Sequence, residues 1–273
     1  MDGRRLSHII PKFVFQHAST RSPSGYLRTN ISPNKRMQDG PKEYLLCAGC
    51  EARFSKWERR LSEIFKRHHD NPGQTFAYSK DHSLAALSIL WRVLAHARSH
   101  PELNHLTFGS DYSRTDLAFE HWKRVLLGDA DHPGQFRIFW LWPDHFSSGP
   151  PDINRYTFHA VDFDVVASNR RSFSVAHLPG LFLIGALEEC ERGEFRGLEI
   201  AFKNARYLAS EKKIAPYWLK DYIEGKMALR KEALSSISPV QSAKIDQAVL
   251  DNPEAALRSP LFSSILHDQN LEN

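Results

Sequence analysis

Leu6-Ser7-His8-Ile9-Ile10-Pro11-Lys12-Phe13-Val14-Phe15, and later Tyr44-Leu45-Leu46-Cys47-Ala48-Gly49-Cys50-Glu51-Ala52-Arg53-Phe54, are the stretches on which the reading of this chain turns. The first is a short β-branched segment that carries a histidine and stops at Pro11. A second apolar segment follows, placed to begin a helix with Pro11 near its first turn. The second stretch is a brief strand, Tyr44 to Leu46, that runs into a Cys-x-x-Cys knuckle and on into a helix. From Glu51, the residues Phe54, Trp57, Leu61, Ile64 and Phe65 mark one face of a 3.6-residue period, while Arg53, Lys56, Arg59, Arg60, Lys66 and Arg67 cover the rest. Trp57 and Phe65 read as core residues, and Asn71-Pro72-Gly73 ends the helix.

Between these stretches, residues 16–42 are loop-like, punctuated by Pro23, Gly25, Pro33, Asn34, Gly40 and Pro41. So long a loop in a compact domain favours a binding or functional role. Beyond the first helix, residues 81–100 form a second, apolar almost all round and therefore buried, and a third runs from Asp116 to Leu127. After Asp131-His132-Pro133-Gly134 the pattern turns to strands: Phe136 to Trp142, Tyr156 to Val166, Phe173 to Val175, Leu181 to Leu187 and Leu198 to Phe202 are rich in aromatic and β-branched residues. They predict an antiparallel sheet of four or five strands. Helices return at Trp218 to Ala233, Pro239 to Leu250 and Pro253 to Leu266, with a frayed tail from Asp268 to Asn273. The expected fold class is α+β: a basic module over residues 1–72, then an α+β domain over residues 73–273 with C-terminal helices.

The chain has 273 residues, enough for a full core, and its net charge of +4 is unevenly placed. Residues 1–72 hold 14 Lys and Arg against 7 Asp and Glu, a net of +7, whereas the remaining 201 residues hold 22 against 25, a net of −3. A basic patch of this kind concentrates polyanions, nucleic acid foremost; the alternative is a solvated basic face without a ligand. The longest apolar run, Leu178 to Leu187, is broken by Pro179 and Gly180 and falls short of the roughly 20 residues of a membrane helix. The N-terminus lacks the apolar core of a secretory signal. Three cysteines, two of them in one Cys-x-x-Cys, argue against a disulfide framework and for a reducing, cytoplasmic setting.

Several side chains are candidates for chemistry. Cys47 and Cys50 are half of a tetrahedral zinc site, whose other pair is not evident in the sequence; Cys190 reads as an isolated thiol. His96 and His100, four apart on a helix, could face one metal, but no acidic partner of the Glu-x-x-His type accompanies them, so they read as capping or surface histidines. Asp162 and Asp164 share one face of a strand, which reads as a solvated face rather than a metal site.

Ser7-His8-Ile9-Ile10-Pro11-Lys12 followed by Leu46-Cys47-x-x-Cys50-Glu51-x-x-Phe54 resembles the HNH endonuclease superfamily, with its ββα-metal core, over roughly residues 5–65. The closest likeness is to an uncharacterised bacterial branch with Ser-His-Ile-Ile-Pro-Lys-Phe and Cys-x-x-Cys-Glu-x-x-Phe-Ser-x-x-Glu, a pattern that Glu51, Phe54, Ser55 and Glu58 match. The resemblance implies that His8 is the general base for a water attacking phosphate. It places Glu51 as the helix-borne ligand of a divalent ion, Mg²⁺ or Mn²⁺, with Cys47 and Cys50 as ligands of an incomplete structural zinc site. Ser7 stands where many members carry a metal-binding Asp or Glu, and Lys42, next to Glu43, stands where they carry an orienting Asn. Members often have a further Cys-x-x-Cys upstream of the His strand; a start codon assigned too far downstream, or a loss of zinc, would account for its absence here.

The function expected is hydrolysis of nucleic-acid phosphodiester bonds, DNA ahead of RNA, in defence or a mobile element. Arg21, Arg28, Lys35, Arg36, Arg53, Lys56, Arg59 and Arg60 are the expected phosphate contacts, and the C-terminal domain would position substrate or meet a protein partner. The alternative is a catalytically inactive nucleic-acid- or protein-binding protein that keeps the HNH-like scaffold.

Overall fold

In the computed structural model of the chain the described residues are 3–22, 24–37, 39–100, 115–168, 171–191 and 193–271. Strand β1 (Arg4–His8) leads through Ile9 and Ile10, both fully buried, into helix α1 (Lys12–Thr20). Pro11 fits at this junction because a helix start has no intrahelical partner for an N–H that proline lacks. Strand β2 (Lys42–Cys47) pairs antiparallel with β1, setting Ser7 opposite Glu43 and His8 opposite Lys42. It passes directly into helix α2 (Ala48–Asp70), with Cys47 as N-cap and Phe54, Leu61, Ile64, Phe65 and His68 turned inward.

The short strand β3 (Phe76–Tyr78) precedes α3 (Lys80–Ser99), the helix on which the interior is built. Ser79 and His82 close its first turn as a reciprocal capping box. Leu87, Ile89, Leu90 and Leu94 are fully buried, which matches a helix apolar on most of its circumference. Helix α4 (Asp116–Leu127) packs beside it and ends at Gly128, where φ of 93° gives the left-handed conformation of a glycine cap.

Strand β4 (Ile138–Leu141), helix α5 (Ile153–His159) and strands β5 (Asp162–Ser168), β6 (Arg171–Leu178) and β7 (Leu181–Ala186) follow. The four strands form one antiparallel sheet in the order β4-β7-β6-β5. Both of its faces are covered. On one, Ser174 Oγ donates to the Leu90 carbonyl of α3 at 2.9 Å, and Gly185 lies so close to the Trp122 ring that a Cβ there would stand 2.4 Å from it. On the other, Phe173, Val175, Phe182 and Ile184 pack with Leu219 and Ile223 of helix α6 (Tyr217–Ser235). Strand β8 (Ala205–Tyr207) pairs with β3, and helices α7 (Pro239–Leu250), α8 (Pro253–Leu257) and α9 (Pro260–Gln269) close the described chain. The larger core joins Ile9, Ile10, Leu46, Phe54 and Leu61 to Leu87, Leu90, Leu178 and Leu183, so the N-terminal elements and the sheet bury their apolar faces together.

The α+β class and the antiparallel sheet are as expected, and several segments differ in detail: residues 16–20, expected in the loop, continue α1, and the short strands β3 and β8 were not expected. Tyr156 to His159, expected as strand, belongs to α5: Ile153, Tyr156 and Thr157 are buried at helical spacing, a period that the aromatic content masks. Leu198 to Phe202 is not a strand. It bonds to β4 only through Trp140 N–H to the Leu198 carbonyl (3.0 Å) and Ile200 N–H to the Ile138 carbonyl (2.9 Å). The helix expected from Pro253 to Leu266 is two, because Ser259 accepts the Phe262 N–H and Pro260 restarts the helix at its first position. Asp268 is not frayed: 5% exposed, it accepts the N–H groups of Asn154 and Arg155 at 2.9 Å each and ties α9 to the start of α5.

Candidate functional site

Side chains alternate across the β1–β2 ribbon, and the alternation separates the motif into two groups. Ser7 is fully buried, and its Oγ donates to Glu51 Oε2 at 2.6 Å, linking β1 to the first turn of α2. His8 turns to Asp39 instead: Nε2 lies 2.6 Å from Asp39 Oδ1, while Lys42 Nζ reaches Asp39 Oδ2 at 2.6 Å. Burial pushes the Asp39 carboxyl up, but the hydrogen bonds from Lys42, His8 and the Gly40 N–H outweigh it and hold it at about 2. A carboxylate ionised at neutral pH only accepts, so the Nε2–H of His8 is the donor of this bond, and Nδ1 is the ring nitrogen turned away from it. Nδ1 makes no hydrogen bond among the described residues, and the ring is 17% exposed. Asp39 escaped the sequence reading, which looked to the position of Lys42 for the group orienting His8. No motif flags an aspartate placed by loop folding.

Behind the ribbon, Arg92 of α3 donates to the His8 carbonyl at 2.8 Å and to Glu58 Oε1 of α2 at 2.6 Å. The histidine backbone is thus pinned by a side chain that is 2% exposed. No hydrogen bond or ion pair joins His8 to Glu51 among the described residues; each is held by its own partner.

Cys47 and Cys50 sit at the N-terminus of α2, and the Cys50 N–H points at Cys47 Sγ over 3.5 Å. That bond, the Cys50 thiol and the Gly49 N–H lower the Cys47 thiol below its ordinary value, while burial and the facing Cys47 raise Cys50. Among the described residues no third His, Cys, Asp or Glu joins the two thiols in a ligand group. None of the three cysteines forms a disulfide, and Cys190 is buried.

The expected phosphate contacts divide by what they touch. Lys56, Arg59 and Arg60 are exposed along α2, Arg60 pairing with Glu63 at 3.5 Å. Lys35 and Arg36 are exposed in the loop, Arg36 lying over the Tyr26 ring. Arg28 donates to the Pro33 carbonyl and to Gln241, and the exposed Arg53 to the carbonyls of Leu126 and Leu127 at the end of α4, so both guanidinium groups are already engaged within the protein. Arg21 lines a cavity of about 390 Å³ shared with His68, His69, His145 and His159. Burial depresses these imidazoles, to about 3 for His159 and about 4 for His68 and His69, so they are neutral at physiological pH.

Two further clusters of ionisable side chains lie elsewhere. Asp162 and Asp164 do share a strand face, yet it is not simply solvated: Lys226 of α6 reaches them at 3.2 and 3.1 Å, and all three side chains are less than 30% exposed. His96 and His100 have the acidic partner their own helix lacks. It is Glu43, from β2, whose Oε1 lies 2.5 Å from His96 Nδ1 and 2.6 Å from His100 Nε2. Compared with known proteins, the chain matches no family model, no curated protein and no solved structure.

Proposed function

We propose that this chain is a cytoplasmic, HNH-like metal-dependent endonuclease that hydrolyses phosphodiester bonds of nucleic acid, DNA ahead of RNA, in a defence or mobile-element setting. The observation that carries the proposal is the His8–Asp39 pair: a partly exposed imidazole, oriented through Nε2 by an ionised carboxylate, with Nδ1 left to take a proton from water. Asp39 fixes the orientation of the ring through the Nε2–H. Arg92 fixes the backbone that carries the ring. When bound, Mg²⁺ or Mn²⁺ would neutralise the scissile phosphate, and Glu51, oriented by Ser7, is the carboxylate offered to it. Lys56, Arg59 and Arg60 supply an exposed basic face beside the knuckle.

A second reading, a binding protein that keeps the scaffold without turnover, draws on the structural use of the same groups: Ser7 ties Glu51, and Arg92 ties β1 to α2 and α3. Cleavage of plasmid DNA in Mg²⁺ or Mn²⁺ by the wild type, compared with His8→Ala and Glu51→Ala, separates the two. Activity lost in both variants supports the nuclease, and no activity in any of the three supports the scaffold.

A further inference from the structure

We infer that Glu43, His96 and His100 form a binding site for one divalent transition-metal ion of the zinc class, distinct from the Cys47/Cys50 knuckle. On α3, positions 96 and 100 fall on one face a turn apart, and the antiparallel register of β2 brings Glu43 to meet them. The three ligand atoms lie within 4.8 Å of one another. His96 presents Nδ1 and His100 presents Nε2, so two different ring nitrogens converge on a single carboxylate oxygen.

Two imidazoles and one carboxylate suit zinc and its neighbours rather than Mg²⁺ or Ca²⁺, which favour oxygen ligands throughout. Ligand atoms about 2.0–2.2 Å from a tetrahedral zinc stand roughly 3.3 Å apart. The present contacts of 2.5 and 2.6 Å therefore need to open by under ~1 Å. The site has that freedom, since His100 is the C-cap of α3 with its side chain 39% exposed. The rest is held: Glu43 and His96 are 18% and 19% exposed, and the His96 ring meets Phe163 of β5 edge-on at 5.5 Å. An ion here would clamp the ribbon carrying His8 to the end of α3, with no need for nuclease activity.

The test uses the full chain stripped with a chelator and titrated with Zn²⁺. The site predicts one equivalent bound with a rise in melting temperature, and a Co²⁺ derivative with four- or five-coordinate d–d bands but no thiolate-to-cobalt charge transfer. His100→Ala should weaken Zn²⁺ binding roughly 100-fold or more, whereas Cys47→Ser/Cys50→Ser should keep it. If His100→Ala lowers the melting temperature of the metal-free protein, Glu43→Gln, close in shape, makes the same comparison. Absence of binding by the wild type overturns the proposal. So does zinc lost with the two cysteines but kept by His100→Ala and Glu43→Gln. Neither result bears on whether the protein cleaves nucleic acid.

Discussion

Arg92, in the middle of α3, donates to the carbonyl oxygen of His8 across 2.8 Å. The same guanidinium holds Glu58, so one buried cation joins β1, α2 and α3. Arg92→Met leaves the Glu58 carboxylate, 19% exposed, without its partner, and breaking such a pair from one side costs about 3–5 kcal/mol. Urea unfolding should show that loss, and the double variant Glu58→Leu/Arg92→Met should recover part of it. A change under about 1 kcal/mol would contradict the bracing role.

Asp39 fixes the orientation of the His8 ring through the Nε2–H. Asp39→Asn keeps the shape but removes the charge, so cleavage should fall roughly 10–100-fold while the melting temperature changes little. A large loss of stability with unchanged specific activity would reassign the pair to folding.

Buried histidines set the acid limit. Burial, aided by neighbouring His69 and Arg21, pushes His17 to about 3; His159 and His177 stand at about 3, and His68 and His69 at about 4. All lie below the ordinary 6.5, so the unfolded chain binds more protons than the folded one between pH 6.5 and the folded values. Stability is therefore full above pH 6.5 and falls as pH drops towards 4, by up to about 1.4 kcal/mol per pH unit for each histidine. Melting temperatures taken from pH 7.5 to 4.5 should decline steadily below 6.5. A flat profile to pH 5 would mean that these rings are not buried neutral.

Much of this was legible in the residues. The periods of α2, α3 and α4 and the apolar run of β7 are written in hydrophobic spacing, because each element buries one face or all of itself. The partners of the motif were not. Asp39 reaches His8 from a loop whose path no periodicity encodes, and Glu43 meets His96 and His100 only after β2 has paired with β1. Local pattern also misled at α5, where the aromatic content of Tyr156 to Phe158 suggested a strand although tertiary burial follows a helical stripe.

The basic residues should divide in their effects. Lys56→Glu/Arg59→Glu/Arg60→Glu should weaken nucleic-acid binding and reduce the slope of log K against log salt by about 0.9 for each phosphate no longer neutralised, with stability nearly unchanged. Arg53→Ala should act mainly on stability, because its guanidinium caps the last carbonyls of α4. Measuring both properties on both variants checks the division.

The most direct test is the rate of plasmid cleavage by the purified chain in Mn²⁺, wild type against His8→Ala, with circular dichroism showing that both are folded. The wild type should cut, and His8→Ala should be slower by roughly 10²–10⁴-fold. Equal rates for the two, or no cleavage by the wild type, would contradict His8 as the base.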